Sequence, residues 1–455
     1  MTASAPVQKR MSIDRRILSA AASVFAAGAV VKIVAMGKEF VVAGVFGRSD
    51  AMDAFLAAFL IPNLLINLIA ESMNQALVPT LIMVRMRDGW ERAQELLSSS
   101  MLWLCGLLTA AAVLMALLAR TFFPLIAWGF PALKLDLSVR LFYSLLPVVL
   151  LSGIAATCTA VLNTFERFAM PALAALVMPL SIVAAGVLFH GVLGIWALVW
   201  GTLVGALAHA GMTVWMMETR GYRFRVGWHG NDEATREVAH QYGPVLLSSV
   251  VASGGLLVDQ AMAAMLPAGS VSALVFANRF VSVAVTLMAG AVSSAVVPYF
   301  SSMITDRDWQ GCRRTLRTWS RVMAVVSLPV AGLLIAGAQP LVRLTLQHGA
   351  FGAKDTVVVA SVLAMYAIQI PFFVVSRVFY RFVVAMRRTD LVLWCGLLNL
   401  VLDVLLNLLL MRWLGVAGIA LATSLWTVST LCFLWYWAHR LLKQAADAEP
   451  RDAWA

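Results

Sequence analysis

The sequence predicts an all-α polytopic membrane protein, with about 12 transmembrane helices in two parallel-repeat six-helix lobes around a central cavity. Three observations predict it. Hydrophobic residues make up 61% of the chain and charged residues only 13%. Apolar runs of about 20 residues, the length that spans a bilayer core, recur from end to end. Residues 51–81 also align without a gap to residues 270–300, pairing Ala54 with Ala273, Ala58 with Ala277 and Val78-Pro79 with Val297-Pro298. The first two observations exclude a soluble fold. The third predicts the lobes, because an even number of helices between the copies makes both halves enter the membrane with the same polarity.

Taken in order, the runs place helices at 17–46, 52–83, 96–119, 139–162, 170–189, 193–217, 239–265, 270–302, 315–338, 356–385, 390–411 and 414–441. Behind the basic stretch Lys9, Arg10, Arg15 and Arg16, the first run is longer than a signal peptide's apolar region and reads as a retained helix. The resulting organisation is a cytoplasmic tail at 1–16, an N-lobe at 17–217, a linker at 218–238, a C-lobe at 239–441 and a second cytoplasmic tail at 442–455. Charge supports this orientation: with the N-terminus inside, cytoplasmic segments collect 22 of the 34 Lys and Arg residues, against seven on the opposite side and five within helices. The net charge of +11 therefore follows from topology and implies no nucleic-acid partner.

Enzyme chemistry finds little support. The five cysteines are scattered without metal-ligand spacing, the six histidines form no HExxH-type cluster, and Gly37-Lys38 lacks the rest of a phosphate-binding loop. The informative residues are polar ones inside apolar runs. Lys32, Lys38 and Glu39 interrupt the first run, where each charge near the bilayer centre costs about 2.5–3.5 kcal/mol unless it faces a polar cavity or a partner. A structural ion pair between Glu39 and either lysine is the simpler alternative. Asp53, Asn63, Asn67 and Glu71 follow one another along the second helix, and Arg279 lies within the eighth; Asp53, Asn67, Glu71 and Arg279 join Lys32, Lys38 and Glu39 as expected substrate-binding residues. In the C-lobe, Asp259, Asn399, Asp403 and Thr423 offer hard oxygen ligands from three helices, a set that suits a small cation or, alternatively, polar side chains bonded to one another. Asn399, Asp403 and Asn407 share one face at i,i+4 spacing. Arg377 and Arg381, also at i,i+4, either present cations to the substrate from the C-lobe or, the favoured reading, snorkel towards the cytoplasmic Arg387-Arg388 pair.

Lys32-to-Gly47 (KIVAMGKEFVVAGVFG), Asp53-to-Pro79 with its IPNLL and AES segments, LNTFERF at 162–168, GSVSALVFANRF at 269–280 and QHGAF at 347–351 resemble the MurJ/MviN family of lipid II flippases, within the multidrug/oligosaccharidyl-lipid/polysaccharide exporter superfamily. The resemblance covers roughly residues 12–442. It implies a monomeric, multi-pass protein of the bacterial inner membrane, both termini cytoplasmic, that moves an undecaprenyl-pyrophosphate-linked saccharide from the inner to the outer leaflet by alternating access. Its partners would be that anionic lipid-linked saccharide and the surrounding membrane lipids. It assigns Lys32, Lys38 and Arg279 to the family's cavity cations, Glu39 and Glu71 to its carboxylates, and Asp259, Asn399, Asp403 and Thr423 to a sodium site, with sodium as the expected coupling ion, a proton carried by Asp403 or the membrane potential alone as the alternatives, and no other cofactor. A further family arginine falls at Ile66, beside Asn67. The family's usual fourteen helices exceed the twelve read here, which implies different handling of the lipid chain. Two alternatives are a cation-coupled multidrug exporter, which favours acidic cavity residues, and a membrane scaffold for polysaccharide synthesis, which needs no intramembrane charge.

Overall fold

The computed structural model describes residues 28, 30–164, 169–221 and 233–447, with backbone alone at 169, 251–252, 291–299, 301 and 446. The N-terminal tail, most of the linker, the end of LNTFERF and residues 448–455 of the C-terminal tail lie outside the described residues, while 442–447 continue the last helix. Among the described residues the chain is helical throughout: α1 (30–46), α2 (Asp50–Leu65), α3 (Ser72–Arg87), α4 (Trp90–Ile126), α5 (Ala132–Asn163), α6 (Ala169–Leu193), α7 (Trp196–Glu218), α8 (Glu233–Ala264), α9 (Ser270–Thr305), α10 (Trp309–Ala336), α11 (Ala338–Leu346), α12 (Ala353–Ala367), α13 (Gln369–Ala385), α14 (Thr389–Leu414) and α15 (Val416–Asp447). Eleven helical stretches are long and apolar enough to cross a membrane, with α2–α3 and α12–α13 each forming one stretch. These match the second to twelfth expected helices; the first is described only from residue 28.

The helices outrun the expected boundaries, as Trp90–Ile126 does against 96–119, because hydropathy registers only the bilayer-embedded part while polar turns extend into the interface. α11 was not expected. It is short and two-faced, burying Val342 and Leu346 while Leu344 is exposed. Between α2 and α3 the backbone widens into a π-helical turn at Ile66–Glu71. At the corresponding residues of the repeat, 285–290, α9 is an unbroken α-helix.

The chain divides into two compact units, one of residues 1–45, 57–123 and 133–250, the other of 46–56, 124–132 and 251–455. In the first, α6 and α7 pack closely because Gly201 and Gly205 have no side chain: a Cβ would stand 2.9 Å from the Ile182 Cα and 2.8 Å from the Met178 Cα. Phe123 anchors the same unit, stacked 5.0 Å from Phe122 and edge-on to Phe142 at 5.3 Å. In the second unit, Phe300 meets Phe382 and Phe276 meets Phe351, both edge-on. Outward faces are apolar: Leu117, Leu188, Val192 and Leu333 are exposed, as on a surface solvated by lipid tails.

Candidate functional site

In the first unit, polar groups interrupt apolar helices. On α1, Lys32 is exposed and Lys38 Nζ lies 2.9 Å from Glu39 Oε1, so the expected ion pair forms with Lys38. Glu39 is buried, and a buried carboxylate is costly unless paired. On the continuous Asp50–Arg87 stretch, Asn67 and Glu71 are both exposed near the middle. They belong to the π-helical turn, and the Asn67 amide donates to the Asn63 carbonyl at 2.9 Å. A π turn holds one residue more than an α turn and commonly marks a functional site.

The second unit draws together motifs far apart in sequence. Asp53 is 1% exposed and caps α9: its Oδ2 accepts from the Gly269 N–H at 2.7 Å and its Oδ1 from the Ser272 N–H at 2.9 Å. Asp53, expected among the substrate-binding residues, is thus placed at a helix N-terminus, where each carboxylate oxygen accepts a backbone N–H. Arg48 Nε donates to the Gly269 carbonyl at 2.9 Å, and its guanidinium also reaches Asp355 Oδ1 at 3.2 Å. Gly47 has φ +59°, and a Cβ there would stand 2.6 Å from the Ala350 carbonyl oxygen. The GVFG, GSVS and QHGAF segments thus meet at one junction, where their glycines allow backbone to touch backbone. Arg279, two turns into α9, is exposed within the Ser270–Gly290 span.

A second cluster joins α8, α14 and α15. Gly254 and Gly255 admit α14: a Cβ would stand 3.1 Å from Leu400 Cδ1 and 3.4 Å from Asp403 Oδ2 respectively. One turn further along α8, Asp259 Oδ1 accepts from Asn407 Nδ2 at 2.9 Å, and its Oδ2 accepts from the Thr423 hydroxyl at 3.3 Å. Asn407 Nδ2 also donates to Asp403 Oδ1 at 3.1 Å. Of the expected set, Asp259, Asp403 and Thr423 are brought together and Asn407 joins them, while Asn399 faces Thr430, whose hydroxyl donates to Asn399 Oδ1 at 3.1 Å. Asp403 Oδ2 and Asn407 Oδ1 are buried without a hydrogen-bond partner. Among the described residues no three His, Cys, Asp or Glu side chains group as a metal site; here two carboxylates are completed by an amide and a hydroxyl.

A family model described as Lipid II flippase MurJ matches residues 42–450. The chain belongs to this family. Among its relatives, a probable lipid II flippase MurJ of Buchnera aphidicola is 24% identical over 87% of this chain and 78% of its own length. The lipid II flippase MurJ of Burkholderia cenocepacia is 26% identical over 74% and 67%. Of solved structures, the inward closed conformation of a lipid II flippase MurJ superposes with a TM-score of 0.77 at 21% identity, covering 94% of each chain. An inward-facing multidrug resistance MATE family transporter gives 0.76 at 12%, covering 93% of this chain and 96% of its own. Both likenesses establish the MurJ and MATE fold for this chain, and the resemblance drawn from its motifs is borne out at family level.

Proposed function

We propose that this protein is a lipid II flippase, a transporter and not an enzyme, moving the undecaprenyl-pyrophosphate-linked peptidoglycan precursor from the inner to the outer leaflet by alternating access. The observation that carries the reading is the family match over residues 42–450, joined to Asn67, Glu71 and Arg279 exposed in helices long and apolar enough to cross a membrane and to exposed Lys32 on α1. A pyrophosphate crossing a low-dielectric region needs its negative charge compensated, which Lys32, Lys38 and Arg279 would supply. Glu39 holds Lys38 in place and moderates its field. Asn67 and Glu71 are suited to sugar and peptide hydrogen bonds. Lysine keeps the charge that arginine would bring but lacks its two-pronged phosphate geometry, so substrate contacts through α1 are point-charge contacts.

Sodium is the proposed coupling ion, bound by Asp259, Asp403, Asn407 and Thr423. Two buried oxygens without hydrogen-bond partners, one on the Asp403 carboxylate and one on the Asn407 amide, beside the Asp259 carboxylate are a donor set that a hard cation satisfies and that apolar packing does not. The protein is proposed to act as a monomer in the bacterial inner membrane with both termini cytoplasmic, an orientation supported by the charge bias of its loops. Complementation of a strain depleted of its lipid II flippase tests the function, read by leaflet-resolved accessibility of lipid II. Growth and outward lipid II are expected for wild type and lost in Lys32→Ala and Arg279→Ala proteins that still insert. Failure of the wild type to complement would overturn the reading.

A further inference from the structure

Four side chains able to contact a cation or a water recur on α14 at every fourth position: Cys395, Asn399, Asp403 and Asn407. At 1.5 Å per residue they extend over about 18 Å of one slowly winding face. α15 answers with Thr423, Thr427 and Thr430, of which Thr423 belongs to the Asp259 cluster and Thr430 bonds Asn399. The polar file is closed at the Asp259 end, where Asn407, Asp403 and Thr427 are buried, and half-buried at Asn399 and Thr430. Its foot is Cys395, whose sulfur accepts from Asn399 Nδ2 at 3.8 Å, on the face of a helix that also packs against α13, the helix of Arg377.

Arg377 is unusual. Its guanidinium lies 4.2 Å from the centre of the Phe373 ring, one turn nearer the middle of the Ala353–Ala385 span, and 5.4 Å from that of Tyr380. It therefore points back along its helix into the membrane, which corrects the expectation that it snorkels outward to Arg387-Arg388. Among the described residues no carboxylate pairs with it, so its charge is carried on aromatic faces. A fixed positive charge at the end of a polar file is the device by which membrane pores exclude cations.

We propose that the α14–α15 interface is a sodium track in which Asn399 and Thr430 form a stopping point between the Asp259–Asp403–Asn407–Thr423 cluster and the end of the unit bearing Arg387 and Arg388, with the Arg377 guanidinium as the barrier at its foot. The inference rests on the sodium reading of that cluster and adds a route and a gatekeeper to it. Without the barrier, sodium bound at the cluster would drain along the track uncoupled from substrate movement.

The test uses the full-length protein in proteoliposomes without lipid II. Sodium affinity is followed by the intrinsic tryptophan fluorescence of the protein, and leak by uptake of radioactive sodium. Arg377→Gln is expected to raise leak about tenfold while keeping sodium affinity within about twofold, and Arg377→Lys, which keeps the charge, to behave as wild type. Adding Thr430→Val to Arg377→Gln should return leak to near the wild-type rate, because the stopping point is removed. Unchanged leak in Arg377→Gln, or full leak in the double variant, would overturn the track and leave the polar file as helix-packing glue. Absence of sodium binding by the wild type, or binding undiminished in Asp403→Asn, would instead overturn the sodium site, and the track with it.

Discussion

Asp53 shows how a residue's chemistry can be legible while its task is not. A carboxylate inside an apolar run invites a functional assignment. Its actual partners, the amides of Gly269 and Ser272, lie more than 200 residues away and become its neighbours only on folding. Replacement by alanine leaves two buried N–H groups without acceptors and should cost about 1–2 kcal/mol. The check is a lower thermal unfolding temperature of the detergent-solubilised protein, with Asp53→Asn falling between the two; an unchanged temperature would contradict the capping role. The same limit explains Asn399 and Asn407. Residues 399, 403 and 407 share a face, so spacing alone offers two amides of equal merit, and the choice is made by where Gly254 and Gly255 let α8 approach α14. Accordingly, Asn407→Leu should abolish sodium-dependent fluorescence, whereas Asn399→Leu should leave sodium affinity nearly unchanged. Equal losses in both variants would reinstate Asn399 as a ligand.

Elements were the most legible level, since long apolar runs announce themselves by composition alone. Eleven of the twelve expected helices lie within the described residues and recur there as spans. What hydropathy could not register was phase. The π turn at Ile66–Glu71 has no residue signature, because it records one residue more than the local α-helix accommodates and not a change of residue type. This makes an unusual prediction about deletions. Removing Leu68 should let the turn relax to α-helix while the segments on either side keep their facing, so the protein still inserts and purifies as a single species but loses flipping. Removing buried Ala57 instead turns all that follows by about 100° and should prevent folding. Membrane abundance and size-exclusion profiles of the two deletions distinguish them; equal tolerance would argue against the π turn.

For the whole molecule, the charge census predicts sidedness. In a variant lacking the five native cysteines, Arg412→Cys should react with a membrane-impermeant maleimide from outside intact cells, and Arg387→Cys only after permeabilisation. The reverse pattern would invert the proposed topology. The repeat was also legible at this scale, down to positions 53 and 272, which the alignment pairs and a hydrogen bond joins directly. The π turn gives that repeat a meaning its alignment conceals. Residues 51–81 and 270–300 match without a gap, yet one copy contains a widened turn where the other, at 285–290, does not. Past that point, equal positions in the two copies differ by about one residue of angular phase, about 100°. The copies have therefore diverged by rotation and not by length, one backbone having taken up within a turn what the other carries straight on.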